Sequence, residues 1–518
     1  MYRRLLAVTF VFSLFATTHG EDNRPNVIVI LCDDMGFSDL GCYGGEIDTP
    51  HLDRLALNGL RFTDFHNNAK CTETRASLIT GLWHQQSKNL EKKNNVTLPE
   101  VLSGAGYSTY MVGKWHLHGH PMDRGFENYF GFLSGCINFF TGEDWQTGTN
   151  LMRLGREVFS PSKDFYSTDA FTDKAIEYLD GRPREKPFFL YLAHNAPHFP
   201  LHALPEDIAK YEGKYSVGWD VIRKQRFERL RELGIIDNTW RMSKRDPKVE
   251  AWSDLSPAET EFLEPMMSVY AAMVDRLDQS IGRLVKYLED QKQLDNTLIL
   301  FMSDNGACPY ERMRNEVTLP GPAESDIAYD ARWANMCNTP LRLYKQYAHA
   351  GGTNTPMIAH WPKGIAARGE ITRATGHIVD VMPTLVSIAD TEYPQKRDGQ
   401  SVLPMEGESL LPAFRGEDRE RTKPIFWEYA ANHAVRAGDW KLVAERSKDW
   451  ELYDLAVDRS ETTDLVKLKP EKVIELAAKY DAWANRAAAK SHRQCVKAKP
   501  STQSQLFDLK NRKSAEAK

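Results

Sequence analysis

The chain of 518 residues is long enough for one large domain with a smaller one, or for two to three domains. Its 42% hydrophobic and 26% charged residues are the ordinary balance of a globular protein. The formal net charge of −5 arises from 66 Lys+Arg and 71 Asp+Glu spread along most of the chain, which argues against a nucleic-acid-binding protein.

The amino-terminal segment has the pattern of an export signal. Arg3 and Arg4 precede an apolar stretch over residues 5–16, and small or polar residues follow up to Gly20. An apolar core of about 12 residues is too short for a membrane span, which needs roughly 20. We therefore predict a signal peptide over residues 1–20, a secreted or periplasmic mature protein, and no membrane span.

Three apolar, β-branched runs predict strands that are buried on both faces: residues 26–31 (NVIVIL), 188–193 (FFLYLA) and 297–302 (TLILFM). Between the last two, apolar residues at helical spacing predict a long amphipathic helix within residues 257–294. Alternating strands and helices favour an α/β fold with a large, mostly parallel sheet flanked by helices. Shorter strand-like pieces such as residues 440–443 and a helix near residues 471–489 predict a smaller carboxy-terminal α+β subdomain.

Polar clusters follow all three predicted strands, and ligands of such sheets gather at the carboxyl ends of the strands. The first run ends in Asp33 and Asp34, the last in Asp304 and Asn305, and the middle one in residues 194–198 (HNAPH). Both acidic clusters offer oxygen ligands, which suit Ca²⁺ or Mg²⁺. Each pair alone could instead cap a helix, but two such pairs at strand ends favour a metal site.

Seven cysteines are too few for a disulfide scaffold in a chain of this size, and none lies in a Cys-x-x-Cys zinc pattern. Without Cys71, six remain that could pair. A zinc site built from His118, His120, His194 and His198 is a weaker alternative to the oxygen-ligand site. Asn95 begins an Asn-x-Thr sequon, the acceptor for a glycan in hosts that glycosylate.

The chain resembles the sulfatase family of the alkaline phosphatase superfamily, in blocks that follow one another in order over nearly the whole mature chain. The resemblance rests on residues 25–44 (PNVIVILCDDMGFSDLGCYG), 49–65 (TPHLDRLALNGLRFTDF), 71–81 (CTETRASLITG), 113–117 (GKWHL), 188–200 (FFLYLAHNAPHFP) and 303–306 (SDNG), followed by Lys345, Gly351-Gly352, 436–443 (RAGDWKLV) and 451–455 (ELYDL).

This resemblance implies that Cys71 is oxidised to formylglycine by a formylglycine-generating enzyme, and that the hydrated aldehyde is the nucleophile. It implies a metal held by Asp33, Asp34, Asp304, Asn305 and the modified Cys71. The expected activity is the hydrolysis of sulfate esters to inorganic sulfate and an alcohol.

The resemblance also assigns roles to the cations and histidines. Arg75 and Lys114 would fix the formylglycine oxygens, and His116 would act as base on the second hydroxyl. Lys114, His198 and Lys345 would bind the sulfate oxygens, with His198 placed to donate a proton to the leaving group. Three more residues in or beside matched blocks have either a substrate contact or a structural role: His194, Arg342 and His433.

Three positions depart from the family pattern. Members that mature their cysteine usually show Cys-x-Pro-Ser-Arg, whereas Glu73 and Thr74 stand at the proline and serine places here. Ala350 stands where a glutamate usually precedes the glycine pair. Glu73 keeps open a non-catalytic binder of sulfated glycans, in which Cys71 stays a thiol. A phosphodiester or phosphonate hydrolase of the same superfamily is the other alternative.

The substrate is expected to be a sulfated small molecule or glycan, with extracellular polysaccharide as the most economical choice. Its specificity is expected to lie in two long unmatched loops, residues 138–163 and 211–254. We divide the chain into the signal peptide (1–20), a catalytic domain (21–395), a smaller subdomain (396–490) and a Lys-rich tail (491–518).

Overall fold

The computed structural model describes residues 22–311, 318–366 and 368–498. The predicted signal peptide, residues 1–20, lies outside these ranges, as does residue 21, the expected first residue of the mature chain. Among the helices of the described ranges, none is both long and apolar enough to cross a bilayer.

A ten-stranded sheet forms the centre of the molecule. In spatial order its strands are β11 (Glu370–Thr372), β2 (Leu60–Phe62), β10 (Met357–His360), β9 (Thr297–Ser303), β1 (Asn26–Cys32), β8 (Phe188–Ala193), β4 (Ser108–Lys114), β5 (Asn128–Phe132), β6 (Met152–Leu154) and β7 (Glu157–Val158). The five central strands from β9 to β5 run parallel, while β10, β6 and β7 pair antiparallel. The predicted mixed, mostly parallel α/β sheet is confirmed, and the three strands predicted from apolar runs are β1, β8 and β9.

Helices cover both faces of this sheet. They are α1 (Pro50–Leu57), α2 (Cys71–Thr80), α3 (His84–Ser87), α4 (Leu98–Gly104), α5 (Ser167–Asp180), α6 (Pro205–Ile208), α7 (Trp219–Glu232), α8 (Pro257–Asp290), α9 (Asp330–Cys337), α10 (Ala350–Thr353), α11 (Val381–Ile388) and α12 (Leu411–Phe414). The predicted long helix is α8, which begins with a capping box in which the backbone N–H of Ser256 donates to Glu259 at 2.8 Å.

Successive residues of β1 point to opposite faces, as they must in an extended strand. Ile28 and Ile30 pack in one core with residues of α5 and α8. Val27, Val29 and Leu31 pack in a second core with residues of α2, α4 and α11. Burial on both sides explains why these strands read as continuous apolar runs without alternation.

The carboxy-terminal subdomain has its own antiparallel sheet of β15 (Ile425–Tyr429), β16 (Asn432–Ala437), β17 (Trp440–Ala444) and β18 (Glu451–Asp454). Helix α13 (Pro470–Ala487) packs on it and buries Leu476 and Trp483 against Trp427 and Leu442. Two small pairings complete the fold: β3 (Phe65–His66) with β12 (Gly376–His377), and β13 (Lys396–Arg397) with β14 (Gln400–Ser401).

The chain is packed near both ends of the predicted subdomain. Leu410 and Phe414 belong to the second core of the large sheet, so this part of the predicted subdomain packs on the large domain. The predicted tail begins with a short helix, α14 (His492–Val496), whose Cys495 is buried. Residues 499–518 of that tail lie outside the described residues.

Candidate active site

The acidic cluster forms because β1 and β9 are parallel neighbours with Cys32 opposite Ser303. Asp33 and Asp34 therefore leave β1 at the same level at which Asp304 and Asn305 leave β9, and all four are fully buried. Asp34 has a φ of 71°, a left-handed conformation that turns the chain sharply at this point. Irregular chain follows both pairs, and no helix begins directly after either, so within the described ranges neither pair caps a helix and the capping alternative is wrong.

Several oxygens of this cluster accept no hydrogen bond from the described residues. Asp33 Oδ1, Asp34 Oδ2 and Asn305 Oδ1 are buried without a hydrogen bond to any described residue. Potential ligand atoms of Asp33, Asp34 and His198, and likewise of Asp33, Cys71 and Asp304, lie within 4.8 Å of one another. Unsatisfied buried acceptors are costly, and a hard cation would satisfy them, so the donor set fits Ca²⁺ or Mg²⁺.

Three cations face the carboxylates. Arg75 donates through Nε and Nη2 to Asp304 Oδ2 at 3.2 and 2.7 Å, and through Nη1 to the carbonyl of Lys114 at 2.9 Å. Lys114 forms an ion pair with Asp33, and Lys345 Nζ lies 2.5 Å from Asp34 Oδ1. Burial together with the Asp33 charge raises the pKa of Asp304 to about 7, against the effect of Arg75.

Cys71 is the first residue of α2, and its Sγ lies 3.5 Å from His116 Nδ1. Burial raises the pKa of the Cys71 thiol, although Lys114 and Lys345 act in the opposite direction. His116 has a φ of 55° and packs on Gly135, where a Cβ would come within 2.7 Å of His116 Nε2. A glycine is therefore needed at position 135 to admit this ring.

His198 Nδ1 lies 2.6 Å from the carbonyl oxygen of Phe199, which can only accept, so Nδ1 carries a proton. The other ring nitrogen, Nε2, faces Asp34 Oδ2 at 3.4 Å. Nε2 is thus the nitrogen directed at the cluster.

A cleft of about 170 Å³ opens above the cluster. Cys71, His116, His198 and Lys345 all line it, whereas Arg75 and Lys114 are fully buried and do not. The other four metal-ligand candidates are also fully buried and line none of it: Asp33, Asp34, Asp304 and Asn305. The structure thus brings together all six predicted catalytic residues and the predicted metal ligands.

Sequence reasoning missed other residues of the cleft. Lys70 and Tyr310 line it, and Lys345 Nζ lies 5.2 Å from the centre of the Tyr310 ring. The position of Lys70 next to Cys71 was a usable signal, but nothing in the sequence singled out Tyr310. The loop 138–163 contributes Asp144, Trp145 and Gln146 to the rim, whereas the loop 211–254 contributes no residue to this cleft.

Three predicted substrate contacts lie elsewhere. His194 is fully buried beside Phe171, and neither ring nitrogen has a hydrogen bond within the described residues. Arg342 donates to Glu451 at 2.7 Å, outside the cleft. His433 is buried in the carboxy-terminal subdomain, where Nε2 lies 2.8 Å from His492 Nδ1. None of the three lines the cleft, so none of them contacts a substrate bound there.

The histidines of the zinc alternative do not meet. His118 is exposed, and His120 Nε2 lies 3.1 Å from the carbonyl oxygen of Gly155. In the described part of the chain, His198 is the only one of the four in a group of potential metal ligands, and its companions there are Asp33 and Asp34. The zinc cluster is therefore wrong.

Five of the six candidates for pairing are free thiols in the described structure and form no disulfide: Cys32, Cys42, Cys308, Cys337 and Cys495. Asn95 is fully buried: its Nδ2 donates to the carbonyl of Lys92 at 2.5 Å, and its Oδ1 accepts from Arg124 at 2.7 Å. The folded chain does not present this sequon to solvent.

Known proteins are similar to this chain along most of its length. The sulfatase family model matches residues 25–391, and the model for the carboxy-terminal region of N-sulphoglucosamine sulphohydrolase matches residues 342–483. An uncharacterised sulfatase of Schizosaccharomyces pombe is 33% identical over 514 residues, which cover 88% of this chain and 93% of the relative. An arylsulfatase of Klebsiella aerogenes is 33% identical over 461 residues, which cover 81% and 99%.

Among solved structures, Ps i-CgsB in complex with k-i-k-neocarrahexaose superposes with a TM-score of 0.67 at 25% identity, covering 94% of this chain and 98% of that one. Family model, relatives and fold agree along most of the chain. The chain belongs to the sulfatase family and is a sulfuric ester hydrolase.

Proposed function

We propose that the cleft hydrolyses sulfate esters with a formylglycine made from Cys71, and releases inorganic sulfate and an alcohol. The observation that carries the proposal is the joint opening of Cys71, His116, His198 and Lys345 on one cleft above the buried carboxylates. Each side chain alone has ordinary structural uses, but their convergence has the composition of a site that binds and cleaves an anionic ester.

The chemistry explains why a hydrated aldehyde serves better than a serine. One hydroxyl of the gem-diol attacks sulfur, the sulfur–oxygen bond to the alcohol breaks, and the alcohol leaves with a proton. The second hydroxyl then loses its proton, the carbon–oxygen bond to sulfate breaks, and the aldehyde is restored for hydration. A serine ester would lack the second step and would keep its sulfate.

The positions of the side chains match these steps. His116 touches position 71 and serves as the base on the second hydroxyl. Lys345 and His198 also line the cleft and bind the sulfate oxygens. When Nε2 of His198 is protonated as well as Nδ1, this imidazolium donates its Nε2 proton to the departing alcohol. Arg75 and Lys114, fixed on Asp304 and Asp33, hold the oxygens at position 71.

Asp33, Asp34, Asp304, Asn305 and the modified Cys71 would hold Ca²⁺, with Mg²⁺ as the alternative. The described cluster pairs the three carboxylates with Arg75, Lys114 and Lys345, so its charges nearly cancel. A bound divalent ion would polarise the sulfuryl oxygens and give the site a net positive charge suited to an anionic ester.

Conversion of Cys71 requires the formylglycine-generating enzyme to reach this residue. Cys71, Thr74 and Arg75 are buried within the folded chain, at 2%, 0% and 0% exposure. Maturation therefore has to precede the completion of folding, and the enzyme has to accept Glu73 at the usual proline place.

We propose a sulfated glycan as the substrate class, encountered outside the cytoplasm after removal of residues 1–20. The similarity to Ps i-CgsB, whose structure holds k-i-k-neocarrahexaose, supports this class. Asp144, Trp145 and Gln146 on the rim supply the aromatic and polar groups that commonly contact sugars.

Mass spectrometry of the peptide that contains Cys71, from natively expressed protein, is the direct test. We expect a mass lower by about 18 Da than that of the thiol peptide. The same preparation, supplied with Ca²⁺, is expected to release sulfate from an aryl sulfate or from a member of a sulfated-sugar panel. Formylglycine without sulfate release from any substrate would overturn the proposed activity.

Two outcomes would favour the alternatives. An untouched thiol in native protein would favour the non-catalytic glycan binder, which Glu73 keeps open. Faster turnover of a matched phosphodiester or phosphonate than of the sulfate ester would favour a phosphoryl hydrolase. Cys71→Ala is the matched control in both assays, since it removes the nucleophile and leaves the carboxylates in place.

A further inference from the structure

A second cavity, of about 870 Å³, lies between the segment 241–248 and the carboxy-terminal subdomain. We call it the basic cavity. Its lining residues include Arg342, Tyr347, Tyr453 and Thr463. It shares no lining residue with the cleft that holds Cys71. The loop 211–254, which lines none of the cleft, thus builds a separate site.

The segment 241–248 (RMSKRDPK) gives this cavity its charge. Arg245 pairs with Asp220 at 2.7 Å. By contrast, Arg241, Lys244 and Lys248 are exposed and form no ion pair with any described residue. Three cations without an ion pair to a described residue therefore lie along one wall of the basic cavity.

Two of the four carboxylates that line the cavity form ion pairs. Glu445 pairs with Lys448 at 2.9 Å, and Glu461 pairs with buried Lys441 at 2.5 Å. Asp246 accepts from the Tyr344 hydroxyl at 2.6 Å. Asp464 accepts from the backbone N–H groups of Leu452 and Val466, at 2.9 Å each, and has no ion pair within the described residues. Six Arg and Lys side chains line the cavity against four Asp and Glu side chains, so the cavity keeps a net positive charge and is suited to an anion.

Two further features favour a sugar over a bare inorganic anion. Asn335 lines the cavity at 2% exposure, and its Oδ1 is buried without a hydrogen-bond partner in the described part of the chain. A ligand hydroxyl would satisfy this acceptor. The partly exposed ring of Tyr347 offers an apolar surface of the kind on which a pyranose ring packs.

We propose that the basic cavity binds a second stretch of a sulfated polysaccharide, distinct from the sulfate being cleaved. The inference rests on the proposed function for its substrate class, and it specifies that substrate as a chain long enough to engage both sites. Such binding raises the effective concentration of sulfate esters at the cleft without changing the chemical step.

The binding test needs no turnover. The full chain with the cavity variant Arg241→Gln/Lys244→Gln/Lys248→Gln is compared with wild type in affinity electrophoresis through gels that contain dextran sulfate, dextran or polyphosphate. We expect dextran sulfate to retard the wild type and dextran not to. The cavity variant should bind dextran sulfate about tenfold more weakly than wild type, and this difference in affinity should become smaller as the salt concentration rises.

The control variant is Lys186→Gln/Lys292→Gln/Lys363→Gln. These lysines are exposed and form no ion pair with a described residue. Lys186 and Lys292 precede β8 and β9, and Lys363 follows the antiparallel β10, so all three lie toward the end of the sheet opposite the catalytic cluster. The control loses the same charge and should bind dextran sulfate like wild type. Equal weakening in both variants, or polyphosphate binding as tight as dextran sulfate binding, would overturn the proposal.

Turnover gives a second readout. The cavity variant should keep kcat/KM on a small aryl sulfate and lose about tenfold on a sulfated polysaccharide through KM. A loss on the aryl sulfate as well would place the cavity in the catalytic machinery and contradict the inference. If no sulfate ester is cleaved, the proposed function fails while the binding result stands on its own.

Discussion

The backbone N–H of Ala350 donates a hydrogen bond to Glu461 Oε2 at 2.9 Å and thereby joins α10 to the carboxy-terminal subdomain. Ala350 is the position at which the family usually carries a glutamate of its own. Here the Glu461 carboxylate, from a distant part of the chain, lies against the start of α10. The same carboxylate pairs with Lys441, and both side chains are almost fully buried.

Glu461→Ala should lower the free energy of unfolding by about 3–5 kcal/mol, because it leaves the Lys441 ammonium buried without its partner. Urea unfolding of the full chain measures the change. Glu392→Ala, at an exposed glutamate, is the control and should change stability by less than about 0.5 kcal/mol. Similar stabilities of the two variants would show that the buried pair is not needed.

Arg75→Lys should reduce kcat/KM by about 100-fold or more, because lysine lacks the planar fork that reaches Asp304 and the Lys114 carbonyl together. Steady-state kinetics on an aryl sulfate measure the loss, and thermal unfolding verifies that the variant is folded. Arg54→Lys, at an exposed arginine, should leave turnover unchanged. Turnover at the wild-type rate by a folded Arg75→Lys variant would show that Arg75 has no role in catalysis.

Chelation should abolish turnover and lower the melting temperature, and Ca²⁺ should restore both. A ligand at about 100 times its Kd stabilises the folded state by about 2.7 kcal/mol. Asp34→Asn should reduce this response to Ca²⁺. Asp39→Asn also removes a buried carboxylate, but one paired with Arg226 outside the cluster, and should keep the response. Equal responses in the two variants would argue against the proposed ligands.

His433 should make the protein sensitive to acid. Burial, with His492 as a near neighbour, lowers its pKa from 6.5 to about 3, against the carbonyl of Ala431. Because the unfolded chain binds the proton more readily, stability falls as the pH drops below 6.5, by about 2 kcal/mol at pH 5. The charged or titratable side chains near it are those of His492, Tyr480 and, on β15, Glu428.

His433→Gln should show a difference in unfolding free energy between pH 8 and pH 5 that is smaller by about 2 kcal/mol than in wild type. Its KM for a sulfate ester should not change, because His433 lies outside the cleft. A raised KM, with a pH dependence of stability like that of wild type, would instead support the contact between His433 and substrate that the sequence suggested.

Trp145→Ala should raise KM for a sulfated sugar and leave kcat nearly unchanged, because Trp145 lies on the rim and not at the nucleophile. Trp440→Ala is the matched control, in the carboxy-terminal sheet and away from the cleft. A fall in kcat at constant KM would mean that Trp145 acts on the chemical step.

The central sheet and the catalytic cluster were predictable because their signals are local. Strands buried on both faces are apolar throughout, and polar residues placed directly after them must meet at one edge of the sheet. Asp33 and Asp304 are 271 positions apart along the chain, yet strand pairing alone brings them together.

The positions of Arg342 and His433 were not predictable in this way. Each lies in or beside a block that resembles the sulfatase family. The contacts of each are set by how the carboxy-terminal sheet docks, and docking has no signature in a single sequence. Tyr310 reaches the cleft from an irregular segment for the same reason. Residues whose place depends on tertiary packing need the structure.

Asn95 has a practical consequence for production of the protein. Its amide lies between the carbonyl of Lys92 and the guanidinium of Arg124. A eukaryotic host that glycosylates the nascent chain at Asn95 would attach a bulky sugar to a group that must enter the interior. Bacterial expression avoids this conflict, and Thr97→Ser would not, because it preserves the sequon. Val96→Pro would remove the sequon and leave the Asn95 amide in place.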